Sequence, residues 1–220
     1  MRFRNTLTGK QSESERLTRA KARPMKGDRI TLDNNLIRAA MSRQERARLV
    51  ELLDAAEREY QDRTSELSDE QWVYKVTPVT WSVGEIAEHI MLAECLLFGC
   101  AEKALGGPED SRWSEAAQGK VELLEKALPN RAFKATAPSA VVPTGMLSRE
   151  EIMARYRQAR ARTRDFAEHT DLPLKAFKFK HPFPVFDWLS AYDWLLYIPL
   201  HHLRHNIQIA EVIASSGYPR

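Results

Sequence analysis

Residues 201–209 read "HHLRHNIQI" and hold three of the chain's six histidines. This segment continues a long apolar run that begins near Asp187 and ends before Gly217. Apolar residues recur along the run at helical spacing, which predicts a long buried helix with Asp187 as its N-cap. Buried imidazoles are costly unless they find partners, so the same helix predicts a site within the core.

Three earlier segments show the same apolar spacing and are predicted to be helices of similar length. Each opens with a serine that is followed three residues later by a glutamate, which is the pattern of a capping box. The sequence therefore predicts an all-α four-helix bundle with a long crossover or insertion between its second and third helices, at 106–147. The three pairs are Ser42 and Glu45, Ser82 and Glu85, and Ser148 and Glu151.

The positive charge of the chain is concentrated at its N-terminus. Residues 1–30 carry nine Lys or Arg against three acidic residues, whereas the rest of the chain carries 24 basic and 27 acidic residues. We predict that residues 1–38 form a basic, disordered extension and that residues 39–217 form the bundle. Association of the extension with nucleic acid or anionic lipid is the alternative, and we do not expect nucleic acid as a partner.

The composition also bears on the cellular compartment. No run of about 18 uncharged apolar residues occurs, so the sequence predicts no membrane span and no membrane partner. The two cysteines, Cys95 and Cys100, are too few for a disulfide framework, and we interpret both as reduced, buried packing residues of the second helix. Both observations are typical of a cytoplasmic protein.

A helical wheel of the last helix places two histidines on its inward face. His201 and His205 lie one turn apart among apolar side chains, so that both rings can reach one divalent ion. His202 falls near the edge of that face and is an alternative ligand. Arg204 and Asn206 are predicted to mark the solvent flanks.

A third ligand has to come from another helix, and the second helix offers one. His89 lies within "WSVGEIAEHIML", residues 81–92, on the apolar face. An isolated histidine there is more often a hydrogen-bonded core residue. Together with the pair on the last helix it also forms a candidate metal site, and spacing alone leaves both interpretations open.

Three segments together resemble the DinB/YfiT-like family of metal-binding four-helix bundles. They are "WSVGEIAEHI" at 81–90, "FKATAPSAVVPTG" at 133–145 and "HHLRHNIQI" at 201–209. The family pattern His-x-x-x-His-x-x-Gln-Ile is matched by His201, His205, Gln208 and Ile209. The family's histidine after a Trp-Ser pair is matched by His89. The resemblance covers residues 40–217.

This resemblance implies an up-up-down-down bundle with a long crossover. It also implies one divalent metal ion, zinc or nickel, held by His89, His201 and His205 with coordination positions left open. Members of the family are often dimers, so a homodimer is an open alternative here. Characterised members include bacillithiol S-transferases and mycothiol-dependent maleylpyruvate isomerases, and the family alone does not define the reaction.

Two reactions suit such a metal site. The ion can present a low-molecular-weight thiol as thiolate to a small electrophile, or it can activate water for hydrolysis. We predict a metal-dependent thiol S-transferase, with a metal-dependent hydrolase or a non-catalytic metal-binding bundle as alternatives. The expected partners are a small-molecule substrate and the thiol. Tyr197 and Gln208, on the inward side of the last helix, are candidates for lining the pocket.

Overall fold

Eight α-helices and two short strands form in the described part of the chain, which covers residues 34–132 and 136–220 of the computed structural model. Four of these helices are long and correspond to the four predicted from the sequence, which confirms the all-α four-helix bundle. The helices are α1 Asn34–Ala39, α2 Arg43–Thr64, α3 Asp69–Val73, α4 Val83–Leu105, α5 Trp113–Ala116, α6 Lys120–Ala127, α7 Arg149–His169 and α8 Ala191–Ile213, and the strands are β1 Lys178–Lys180 and β2 Trp188–Ser190.

The N-terminal extension lies largely outside the described residues. Its last residues are described, and they form helix α1, which ends at the fully buried Ala39. Helical structure is therefore already present a few residues before the predicted bundle boundary. The prediction of a disordered extension concerns residues 1–33, which lie outside the described residues.

Serine-based capping boxes start all four bundle helices. The three predicted pairs are present in α2, α4 and α7. Helix α8 also has one, but it is formed by Ser190 and Asp193, so the prediction of Asp187 as its N-cap was wrong. The reason is that residues 188–190 are extended in β2, which pairs antiparallel with β1 and delays the start of the helix.

Helices α2 and α7 run in opposite directions. At one end, Arg46 near the start of α2 donates hydrogen bonds to the carbonyls of Ala167 and Glu168 near the end of α7. At the other end, Tyr60 near the end of α2 packs against Tyr156 in the first half of α7, with ring centroids 5.2 Å apart.

Helices α4 and α7 run in the same direction, and α8 runs against α4. Glu94 pairs with Arg160, and further along both helices Phe98 packs against Phe166. His89 near the start of α4 lies beside His205 in the second half of α8. The chain order is therefore up-down-down-up, and the up-up-down-down order implied by the family resemblance is wrong for this chain. Parallel neighbours need a connection that returns along the whole bundle, and residues 106–148 supply it.

Helix α8 packs against both α2 and α4 and therefore contributes to both parts of the core. One apolar cluster surrounds Trp194 and Leu195 near its start, and the other surrounds Ile209 and Val212 near its end. The histidines lie between these two clusters. None of the described helices is long and apolar enough to cross a membrane.

Candidate metal centre

The fold brings His89, His201 and His205 together. One nitrogen from each imidazole lies within 4.8 Å of the corresponding nitrogens of the other two. Ring centroids are 4.4 Å apart for His201 and His205, 4.5 Å for His89 and His205, and 5.2 Å for His89 and His201. His89 and His205 are buried, and His201 retains partial exposure.

Local helix geometry explains this convergence. His201 and His205 are four residues apart on α8, so their side chains lie one above the other on one face. Because α4 runs antiparallel against that face, its first turns meet the second half of α8. His89 in the second turn of α4 is thereby placed opposite the pair.

Hydrogen bonds at Nδ1 define the outward nitrogen of two of the rings. Nδ1 of His89 lies 2.6 Å from the carbonyl oxygen of Val141, and Nδ1 of His205 lies 2.8 Å from Oε1 of Gln208. Both oxygens can only accept, so each Nδ1 donates and each Nε2 presents a lone pair to the cluster. This is the usual arrangement of histidines that bind metals.

His201 carries its proton on a different ring nitrogen from His89 and His205. Its Nε2 lies 3.1 Å from Nε2 of His205. Because Nε2 of His205 carries the lone pair, Nε2 of His201 is the donor in this contact. For His201 to bind a metal through Nε2, its proton has to reside on Nδ1 instead.

All three imidazoles are held neutral. Burial lowers the pKa of His89, although the hydrogen bond to Val141 acts in the opposite direction. Burial also lowers the pKa of His201 and of His205 well below the usual value, and repulsion between the neighbouring rings adds to this effect. Neutral imidazole is the form that binds metal ions.

The donor set fits one divalent ion. Zinc binds histidine nitrogen at 2.0–2.1 Å, which separates the nitrogens of a tetrahedral site by about 3.3 Å. The nitrogens of the cluster already lie within 4.8 Å of one another. In residues 34–132 and 136–220 no carboxylate or thiolate joins the three imidazoles at this distance. A site made by these residues would therefore have three neutral ligands.

His202 does not belong to this cluster, so its proposed use as an alternative ligand was wrong. It is buried on another side of α8, where Nη2 of Arg160 lies 2.9 Å from its Nδ1. A guanidinium only donates, so Nδ1 accepts and the proton of the neutral ring resides on Nε2. The rings of Tyr60 and Tyr156 pack around it.

Asn206 also differs from its prediction as a solvent flank. It is fully buried, and its amide donates to the carbonyl of Ala56 on α2 at 2.9 Å. The wheel identified one buried face, whereas α8 contacts helices on two sides. Polar residues beside the predicted face are therefore buried as well.

The two pocket candidates lie beside the cluster. The ring of Tyr197 is 5.9 Å from that of His201, and burial raises the pKa of its phenol to about 12. Oε1 of Gln208 accepts from His205 and from Nη1 of Arg131. The ring of Tyr197 thus lies beside His201 with its phenol neutral, and Gln208 contacts a candidate ligand directly.

The crossover between α4 and α7 covers part of this site. A 3-10 turn at Ser139–Val141 packs on α4 and supplies the carbonyl that His89 bonds. The carboxylate of Glu88 accepts from the backbone N–H and hydroxyl of Thr144 and from the N–H of Gly145. Burial acts to raise the pKa of Glu88, but these hydrogen bonds outweigh it and lower the pKa. Sequence reasoning missed Glu88 and Val141, because neither belongs to a spaced motif.

Neither cysteine lies in the cluster. Cys100 is buried as predicted, whereas Cys95 is exposed, so its assignment as a buried residue was wrong. Burial raises the pKa of both thiols. Neither is therefore activated as a nucleophile.

The fold and the cluster define a class: a four-helix bundle with a candidate three-histidine metal site between two of its helices. A model of the DinB superfamily matches residues 52–209, and the chain belongs to this superfamily. A search of curated proteins finds no match.

Among solved structures, the chain is similar to YfiT from Bacillus subtilis, with 14% sequence identity and a TM-score of 0.48. The alignment covers 82% of this chain and 92% of that chain. That protein is described as "a probable metal-dependent hydrolase with an unusual four-helix bundle topology".

Proposed function

We propose that His89, His201 and His205 hold one divalent metal ion, zinc or nickel, and that the chain is a metal-dependent enzyme. The observation that carries the proposal is the convergence of three neutral imidazoles, two of which already present Nε2 lone pairs. Without an ion, His201 and His205 pair their Nε2 atoms with each other, and one of these two nitrogens has to carry a proton where the metal would bind.

A divalent ion with three neutral ligands and an open position acts as a Lewis acid that lowers the pKa of a coordinated thiol or water molecule. The residues around the cluster favour the thiol. Glu88 is the acidic residue next to His89 in sequence, and its carboxylate is occupied by Thr144 and Gly145. No carboxylate in the described part lies within ligand distance of the three imidazoles.

Transfer of a thiol does not need such a base, because a thiol has a pKa of about 8.5 and loses its proton readily beside a cation. We therefore propose a thiol S-transferase in which a low-molecular-weight thiol loses its proton to solvent and its sulfur forms a C–S bond with a small electrophile, while the bond from that carbon to a leaving group breaks. We propose that Tyr197, whose ring centroid lies 5.9 Å from that of His201, orients the electrophile with its protonated phenol. Assembly as a homodimer in the cytoplasm belongs to the same proposal and is tested by light scattering and fractionation.

A metal-dependent hydrolase is the second candidate. The neutrality of the three ligands favours it, because an ion that keeps its full charge lowers the pKa of water most effectively, to near 7 in three-histidine zinc sites. A non-catalytic metal-binding bundle is the third reading, and it requires metal binding without either activity.

The test begins with metal content by inductively coupled plasma mass spectrometry on untagged protein. We expect about one equivalent in the wild type, none in His89→Ala, and one in the control His169→Ala, which removes an exposed histidine of α7. Conjugation of cysteine to monobromobimane and hydrolysis of p-nitrophenyl acetate then separate the two reactions. Wild-type protein that takes up neither zinc nor nickel would contradict the proposal.

A further inference from the structure

We propose that Arg131, in the crossover, is a positioning residue that holds the Gln208 amide in one orientation and thereby keeps the Nε2 lone pair of His205 directed into the cluster. The inference rests on the proposed metal site for its purpose. The hydrogen-bond relationship itself can be tested in the metal-free protein.

Arg131 reaches α8 through two side chains that lie one turn apart. Its Nη1 donates to Oε1 of Gln208 at 3.3 Å. Its Nη2 and Nε donate to the two carboxylate oxygens of Glu211 at 2.8 Å and 3.4 Å. The ion pair with Glu211 therefore fixes the guanidinium, and Nη1 remains directed at Gln208.

The orientation of the Gln208 amide determines which nitrogen of His205 carries the proton and which keeps a lone pair. An amide can rotate by half a turn and exchange its oxygen for its NH2 group. With oxygen toward His205, Nδ1 of the ring donates and Nε2 keeps its lone pair. With NH2 toward His205, Nδ1 has to accept, the proton of the neutral ring moves to Nε2, and that nitrogen no longer binds a metal.

Arg131 selects between these two orientations. A guanidinium has five donors and no acceptor, so it stabilises only the orientation that presents the Gln208 oxygen. The rotated amide would place its NH2 against the cation. The crossover thus orients two of the three imidazoles: Val141 sets His89 directly, and Arg131 sets His205 through Gln208.

Histidine nitrogen NMR on the metal-free protein, at a pH where the rings are neutral, tests this directly. In the wild type we expect the His205 proton on Nδ1. In Arg131→Ala we expect the resonances to shift toward a mixture of the two tautomers. The zinc dissociation constant, measured by competition with a chelator, should rise about tenfold, which is at the low end of the effect of outer hydrogen-bond partners on metal affinity.

A second substitution makes the test specific. Gln208→Glu places two acceptor oxygens before His205, so rotation of the side chain no longer matters. In the double variant Arg131→Ala with Gln208→Glu, we expect the Nδ1 proton and the zinc affinity to return toward wild-type values. A purely structural role for Arg131 predicts no such rescue.

Arg164→Ala is the matched control. Arg164 is 43% exposed against 29% for Arg131, and it pairs with Asp54 on α2 and Glu168 on α7. We expect it to leave both measurements unchanged. If Arg131→Ala leaves the His205 tautomer unchanged, the inference is overturned whatever the zinc result. If the wild type binds no zinc but the tautomer responds to Arg131→Ala, the result supports the positioning role of Arg131 and contradicts the proposed metal centre.

Discussion

Glu94 and Arg160 form a bidentate ion pair inside the bundle, with their side chains only 2% and 3% exposed. Two further donors of Arg160 go to the carbonyl of Leu53 and to Nδ1 of His202. The guanidinium of Arg160 on α7 thus contacts the other three long helices, through Leu53 on α2, Glu94 on α4 and His202 on α8. Coulombic attraction to Glu94 keeps Arg160 charged despite the opposing effect of burial, and its pKa is raised.

Removal of one partner from this pair should destabilise the fold strongly. Glu94→Gln leaves the Arg160 charge buried without compensation, which costs about 3–5 kcal/mol of unfolding free energy. Urea unfolding followed by circular dichroism measures the loss. Glu51→Gln, which weakens the exposed pair with Arg48, should cost less than about 1 kcal/mol. Equal effects of the two substitutions would show that the buried pair has no special role.

Asp193 should make stability depend on pH in an unusual direction. Burial raises its pKa above the usual 3.8, although hydrogen bonds from Ser190 oppose this. The folded state therefore holds the proton more tightly than the unfolded chain, and ionisation of Asp193 above its folded pKa destabilises the fold. Asp193→Asn removes that charge and keeps an oxygen for the capping box.

We expect Asp193→Asn to gain stability relative to the wild type at about pH 7. The gain should shrink as the pH falls through the folded pKa of Asp193 toward 3.8, because the wild type is then protonated as well. Urea unfolding of both proteins across this range checks the slope. A difference that is constant with pH would mean that burial does not shift this carboxyl.

Two glycines of α4 should respond in opposite ways to alanine. A Cβ at Gly84 would lie 2.4 Å from Nε1 of Trp72, whereas a Cβ at Gly99 would have no atom of another described residue within 4 Å beyond its own helix backbone and chain neighbours. Gly84→Ala should therefore cost about 1–3 kcal/mol through overpacking. Gly99→Ala should gain up to about 1 kcal/mol, because alanine loses less backbone entropy in a helix. Thermal unfolding of the two variants separates steric contact from helix propensity.

Local chemistry made much of the fold predictable. A serine with a glutamate three residues later satisfies orphan backbone donors within one turn, so the starts of α2, α4 and α7 could be read from sequence. The start of α8 could not, because Asp187 precedes a β2 strand whose pairing with β1 depends on residues 178–180. The inward placement of His201 and His205 followed from helical spacing alone.

Contacts between distant segments were beyond sequence reasoning. The burial of Asn206 depends on α2, which a wheel of α8 cannot include. The same holds for the direction of α7, which depends on the path of the crossover. Val141 contacts His89, and Glu88 contacts Thr144. Each contact joins residues more than fifty positions apart in sequence, and no repeated pattern marks either of them.

Glu88 should hold the crossover against α4. Glu88→Gln removes a charge that accepts three hydrogen bonds from Thr144 and Gly145, at a cost of about 1–3 kcal/mol. Hydrogen exchange should show faster exchange of the Thr144 and Gly145 amides. Glu85→Gln is the control on the same helix, because glutamine at this position still completes a capping box. Unchanged protection in Glu88→Gln would mean that packing of Val141 alone holds the segment.

Zinc should stabilise the fold through the three histidines. An ion that binds only the native state adds about 2.7 kcal/mol to the unfolding free energy at a free concentration one hundred times its Kd. We expect this gain in the wild type and in His169→Ala, whose histidine lies on the surface of α7. We expect no gain in His205→Ala, because two ligands bind the ion too weakly to populate the site. Urea unfolding at buffered free zinc measures all three proteins. Equal stabilisation of His205→Ala would show that zinc binds elsewhere on the chain. If zinc does not stabilise the wild type at any concentration, the three imidazoles are hydrogen-bonded residues of the bundle and not metal ligands.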